Sequence, residues 1–159
     1  AVTGVQTCAL PILCTGPLLR LMPETVIPVC APNLLQGRPH LSAQALAQAS
    51  LLQQSTRPDA WRQWFEAAGL AADVAAPAAL AGPRFEQFSM TAAAAVSGLG
   101  VALVPRLLIE AELARGELVQ ANPLALAGER SYFLVWPATD EGRTPALDAF
   151  AQWLASAAA

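Results

Sequence analysis

Lysine is absent from this 159-residue chain, histidine occurs once, and the three cysteines form no Cys-x-x-Cys pair. The cysteine count and the lone His40 leave neither a disulfide framework nor a zinc site with support. Cys30 is expected to be a small buried apolar residue. His40 stands before a helix with no acidic or cysteine neighbour at ligand spacing, so it reads as a surface or capping residue. All nine basic residues are arginines, and they are scattered through a chain of net charge −3. Nothing in that pattern forms a nucleic-acid surface. The longest apolar stretches are alanine-rich and interrupted by Gly, Pro, Gln or Ser, short of the roughly 20 residues that cross a bilayer. No Gly-x-Ser-x-Gly, Cys/His pair or suitably spaced carboxylate pair is present, which argues against an enzyme. What the chain does have is 55% hydrophobic residues, the composition of a folded domain rather than of a disordered segment.

The first twelve residues, AVTGVQTCALPI, stand apart. They show no helical or strand period and no basic leader region, and they are similar to the translation of a sequencing-adapter fragment. The expectation is a non-native or frayed terminus that contributes nothing to the fold.

From residue 24 onward, strand and helix patterns alternate. ETVIPVCAP (24–32) is β-branched and closed by Pro32, and HLSAQALAQAS (40–50) carries Leu41, Ala45 and Leu46 at helical spacing. SLLQQ (50–54) is a short apolar strand. Thr56 then stands where it could cap a helix, with Asp59 three positions on, Trp61, Trp64, Phe65 and Ala68 as its stripe and Gly69 as its stop. RFEQF (84–88) alternates as a strand, and Ser89 is positioned to cap the alanine-rich helix that follows. GVALVP (100–105) reads as a buried strand. RLLIEAELARG (106–116) reads as a helix with Leu107, Leu108, Ala111 and Leu113 inward and a Glu112–Arg115 pair on its solvated face. SYFLVWP (131–137) is the last strand, and residues 144–157 form a closing helix with Leu147, Phe150, Trp153 and Leu154 inward. Such alternation predicts an α/β fold with a mostly parallel sheet.

The Gly-Leu-Gly at 98–100 tempts a phosphate-cradle reading, but that motif needs a strand before the glycines and a helix after them. Here the order is reversed. Gly98 is expected to cap the helix in the left-handed conformation and Gly100 to admit a sharp turn into the strand, so no cofactor is implied.

FSMTAAAAVSGLGVALVPRLLIEAELARGELV (88–119) resembles the effector-domain signature of LysR-type transcriptional regulators, and TVIPVCAPNLL (25–35), WRQWFEAAG (61–69) and YFLVWP with AFAQWL (149–154) match in the same order. The VCAP and WxxW features are most similar to the glycine-cleavage-activator subgroup. The resemblance implies a type II periplasmic-binding-protein-like α/β fold with the second lobe complete and the first partial. Residues 32–129 would be that second lobe, and residues 13–31 and 130–159 would be crossover strands and remnants of the first. It further implies a cytoplasmic, effector-sensing part of a regulator that forms homo-oligomers and meets DNA only through a separate N-terminal domain. A solute-binding receptor of the same fold is the alternative.

The effector would lie in the cleft between lobes, where strand C-termini and helix N-termini are presented. The candidate contacts are Ser55 and Thr56 after the strand 50–54, and Phe88, Ser89, Met90 and Thr91 after the strand 84–88. Hydroxyls and unpaired helix-start N–H groups suit a small carboxylate-bearing or amino-acid-like metabolite. Ser89 and Thr56 would equally serve as helix caps alone.

Overall fold

The computed structural model describes residues 16–136 and 144–158, so the expectations for residues 1–12, Cys8, Cys14 and Pro137 lie outside the described residues. The chain divides into two compact units, Thr25–Leu126 and the residues on either side of that span.

In the larger unit, β2 (Leu51–Gln54) lies between β3 (Arg84–Phe85) and β4 (Val101–Pro105), parallel to both. The C-terminal part of β1 (Leu18–Cys30) runs antiparallel to β4, with Val26 opposite Pro105 and Val29 opposite Ala102. It is also antiparallel to the short β5 (Val119–Gln120). The strand order is therefore β3-β2-β4-β1-β5, and the sheet is mixed rather than mostly parallel. Apolar runs show that a strand is buried on both faces but carry no information on its direction, which is why the sequence pattern missed the reversal.

Each face of the sheet has its own core, because successive strand side chains point to opposite sides. Leu51, Val101, Leu103 and Cys30 meet α1 (Ala43–Ala47), α2 (Ala60–Ala67) and α3 (Ala72–Leu80), with Trp61, Trp64 and Phe65 at the centre. Leu52, Ala102, Val104, Ile27 and Val29 meet α4 (Phe88–Val96) through Ala92, Ala94 and Ala95, together with Ile109 and Leu118. Small side chains on α4 and at Ala102 let helix and sheet approach closely.

Several local expectations are corrected. Thr56 does not cap α2: the N-cap is Asp59, and the Thr56 hydroxyl instead accepts from the Gln54 amide. Ser89 does not cap α4 either, because the helix begins one residue earlier, at Phe88, with Gln87 as its N-cap. Ser89 is thus the second residue of the helix. The helix after β4 opens as a 3-10 turn, Arg106–Ile109, before α5 (Glu110–Arg115). That tighter winding buries Ile109 and leaves Leu107 and Leu108 exposed, where inward positions were expected. On the solvated face, Arg115 does pair with Glu112 at 3.4 Å, and with Glu117 at 2.8 Å.

Cys30 is buried, as expected, and desolvation pushes its thiol from the ordinary 9.0 up to about 11. Only the thiolate is nucleophilic. We expect Cys30 to stay unlabelled by a maleimide at pH 8 in the native chain and to react once denaturant is added, as read by mass spectrometry. Because the folded-state value is raised, this group favours the fold below pH 9.0, and that contribution is lost as pH climbs toward about 11. Labelling of Cys30 at the rate of a free thiol in the folded chain would contradict its burial.

In the smaller unit, β6 (Leu126–Val135) pairs with β1, and Arg20 Nε donates to Ser131 Oγ at 3.0 Å. Helix α6 (Pro145–Ala157) is capped by Thr144, whose hydroxyl accepts from the Leu147 N–H at 3.2 Å. Leu147 and Leu154 are half-buried, whereas Phe150 and Trp153 are exposed, contrary to the inward stripe expected of all four. At 3.6 residues per turn, Trp153 sits about 120° around the helix from Leu147, too far to share its face.

Candidate functional site

Because β2, β3 and β4 are parallel, their C-terminal ends share one edge of the larger unit, the edge at which open α/β sheets meet ligands. Ser55, Thr56 and Arg57 follow β2 there. Glu86 and Gln87 follow β3 and lead directly into the first turn of α4.

The backbone of this edge is tightly specified. The Ser55 N–H donates to the Phe85 carbonyl at 2.8 Å, extending the β2–β3 pairing by one residue, and the Arg57 N–H turns back to the Gln54 carbonyl at 2.9 Å. Thr91 N–H donates to the Gln87 carbonyl at 3.1 Å, which closes the first turn of α4. The three N–H groups before it, on Phe88, Ser89 and Met90, precede any possible intrahelical partner, and no side chain caps this helix. Aligned peptide dipoles add partial positive charge at the same end.

The six residues singled out from the sequence all fall on this edge, but in two different environments. Ser55, Thr56, Ser89 and Met90 are exposed, Met90 by 52%. Thr91 is completely buried: its hydroxyl lies 3.0 Å from Gln54 Oε1 and 3.1 Å from the Gln87 carbonyl, two acceptors for one proton. Thr91 is therefore part of the scaffold beneath the edge. Phe88 is half-buried, and the Arg57 guanidinium lies over its ring, 4.7 Å from the centroid. Such stacking fixes the position of a long cationic side chain.

Two residues of this edge, Gln54 and Arg57, were not among the six candidate contacts. Gln54 is only 6% exposed, and its amide bridges Thr56, Glu86 and Thr91. Arg57 supplies the cation. A polar residue ending a short apolar strand was the available signal for Gln54. For Arg57, proximity to an aromatic residue 31 positions later in the chain left no trace in the sequence. Among the described residues, no group of three or more His, Cys, Asp or Glu side chains is gathered in a way that could hold a metal.

Residues 17–159 match the family model described as the LysR substrate binding domain. The chain is 39% identical over 127 residues to the HTH-type transcriptional activator AmpR of Rhodobacter capsulatus, covering 80% of this chain and 40% of that protein. It is 30% identical over 141 residues to the glycine cleavage system transcriptional activator of Escherichia coli K12, covering 88% and 44%. Among solved structures, the effector domain of AmpR from Pseudomonas aeruginosa superposes with a TM-score of 0.72 at 28% identity, over 89% of this chain and 64% of that one. The AmpR effector binding domain from Citrobacter freundii gives 0.70 at 22% identity, over 89% and 67%. The chain spans less than half the length of these curated relatives.

Proposed function

The chain belongs to the LysR substrate-binding domain family, with the type II periplasmic-binding-protein-like α/β fold of its effector domains, and from that premise we propose how it senses its ligand. The effector is a small carboxylate-bearing or amino-acid-like metabolite, bound at the edge formed by Ser55, Thr56, Arg57 and the first turn of α4. The parent protein is a cytoplasmic, oligomeric regulator whose DNA contacts are made elsewhere in its chain. Residues 32–129 serve as the complete second lobe, a reading supported by the compact unit Thr25–Leu126.

The observation that carries this reading is the uncapped start of α4 beside exposed hydroxyls and a stacked guanidinium. A carboxylate suits this edge: backbone N–H groups and hydroxyls donate to it, and the positive charge of Arg57 and the helix dipole favour its own. Effector control then follows if binding favours one conformational state of the regulator over another, since a ligand shifts an equilibrium only by its differential affinity.

Ser89→Ala tests it. Ser89 is exposed, caps nothing and lies within a helix, so its loss should leave stability within about 0.5 kcal/mol. Binding should nevertheless weaken: in a thermal-shift titration with a panel of small carboxylates and amino acids, the hit that stabilises the wild-type chain should require about tenfold more ligand in the variant, a loss of about 1.4 kcal/mol. An unshifted titration would remove Ser89 from the site. A hit whose binding survives Ser89→Ala and Arg57→Ala alike would place the effector elsewhere.

A further inference from the structure

We infer that Gln54 is a positioning residue which sets the geometry of the effector-facing edge, an inference that rests on the sensing role proposed above. Its side chain is the one polar junction, among the described contacts, that touches all three segments of that edge. Nε2 donates to the Glu86 carbonyl at 2.5 Å and to the Thr56 hydroxyl at 3.2 Å, and Oε1 accepts from the Thr91 hydroxyl at 3.0 Å. The turn after β2, the β3–α4 junction and the first turn of α4 are thereby held by one amide.

Chemistry selects glutamine here. The junction needs two donors on one atom and an acceptor on the other, at a position only 6% exposed, where an uncompensated charge or an unmatched donor is costly. An apolar residue offers neither function. A carboxylate accepts from Thr91 but opposes the Glu86 carbonyl with a second acceptor. The adjacent Gln53 gives the internal contrast. It is equally buried, but it faces the other side of β2, where Nε2 donates to the Ala81 carbonyl at 2.6 Å and its backbone N–H to Pro83 at 2.8 Å. Gln53 ties down the end of α3, away from the effector-facing turn.

Position matters because Ser89 and Met90 have no side-chain anchor of their own in this edge, both being exposed. Their backbone N–H directions are set by where α4 starts, and that start is fixed on one side by the Glu86 carbonyl and on the other by Thr91. Gln54 grips both.

Amide hydrogen exchange on the whole 159-residue chain tests this without any ligand. Gln54→Leu should accelerate exchange of the Thr91 amide, the first of α4 with an acceptor, by about tenfold or more, while Ala102 and Val104 in β4 stay within about twofold. Gln53→Leu should spare the Thr91 amide and loosen residues 81–85. The decisive variant is Gln54→Glu. At pH 7 it should behave as Gln54→Leu, but once its carboxyl is protonated the acid O–H donates to Glu86 again while its C=O still accepts from Thr91. Protection at the Thr91 amide, taken as a ratio to wild type at the same pH, should then return as pH falls toward about 4.5. The charged side chains on the same segments are Arg57, Arg84 and Glu86; the wild-type chain carries all three, so the ratio cancels their effect.

A ratio that is the same at both pH values overturns the inference, and so does loosening that spreads evenly into β4. If Gln54→Leu does not fold, the pH series of Gln54→Glu decides alone. The sensing role fails separately: a titration unaltered by Ser89→Ala and by Arg57→Ala, with intact acid rescue at Gln54, places the effector elsewhere and leaves Gln54 organising an edge without that role.

Discussion

Gly100→Ala should lower the stability of this domain by about 3 kcal/mol, at the upper end of what overpacking a well-packed site typically costs. A Cβ at residue 100 would run into the Ser50 carbonyl oxygen, with the carbonyl carbon 3.0 Å away and Leu52 Cδ2 at 3.1 Å. The obstructing atoms are mostly backbone, and that carbonyl already accepts from the Val101 N–H at 2.8 Å in the β2–β4 pairing. Relief therefore requires the two strands to part where both are buried. Gly98, two residues earlier, is a glycine for a different reason: its φ is +76°, and an added Cβ would meet nothing closer than the Asn33 amide at 3.8 Å. Gly98→Ala should cost about 1 kcal/mol, the ordinary penalty of the left-handed region, and Gly98→Asn less still. Urea unfolding of the three variants separates the mechanisms. Equal losses for Gly98→Ala and Gly100→Ala would show that strand spacing is not what Gly100 protects.

The contrast marks where sequence reasoning reached and where it stopped. The order of helix and then strand around Gly-Leu-Gly was legible, and Gly98 does end α4 in the left-handed conformation. Gly100 was read as a turn residue, but its role is a close backbone approach to Ser50, a contact across half a hundred residues that no local pattern encodes. The same limit explains α3. Its buried positions are Ala75, Ala78 and Ala79, and of its exposed positions, Ala72, Asp73, Val74, Ala76, Pro77 and Leu80, only Asp73 is polar, so no polar side contrasts with an apolar one to announce a helix. Pro77 inside it argues further against helix on sequence grounds. Elements whose stripes are built from large residues, such as Trp61, Trp64 and Phe65, were legible.

At the candidate site, the hydroxyl residues and helix start could be read from caps and strand ends. Their division into exposed contacts and a buried scaffold could not. Thr91 and Ser89 look alike in sequence, two residues apart on one helix; helical rotation of about 200° sends one into the core and the other to solvent. Arg57 depends on an aromatic residue 31 positions away, which no local pattern encodes, whereas Gln54 is marked only as a polar residue ending an apolar strand, its partners Glu86 and Thr91 lying far along the chain.

Trp64→Ala should be the most damaging single substitution, lowering stability by about 4 kcal/mol, out of a total that for such domains is about 5–15 kcal/mol. Trp64 is completely buried, edge-on to Trp61 at 6.0 Å and to Phe65 at 5.5 Å between ring centroids. Truncation leaves a cavity at the centre of one core and also orphans the Leu124 carbonyl, to which the indole N–H donates at 3.1 Å. That bond reaches the segment held at its other end by Asn122, whose amide donates to the Leu41 carbonyl at 2.7 Å and accepts from the Leu124 N–H at 2.9 Å. One side chain thus combines core filling with anchoring of the chain's return from the sheet. Trp64→Phe retains most of the packing but not the donor, and should cost about 2 kcal/mol, which isolates the hydrogen-bond share. Trp153→Ala is the control: at 60% exposure it removes an aromatic residue of the same size and should change stability by no more than about 0.5 kcal/mol. A fall of about 8 °C or more in melting temperature is the expected signature of Trp64→Ala at this chain length. A melting temperature matching that of Trp153→Ala would mean that the helix α2 core is not what holds the sheet face closed.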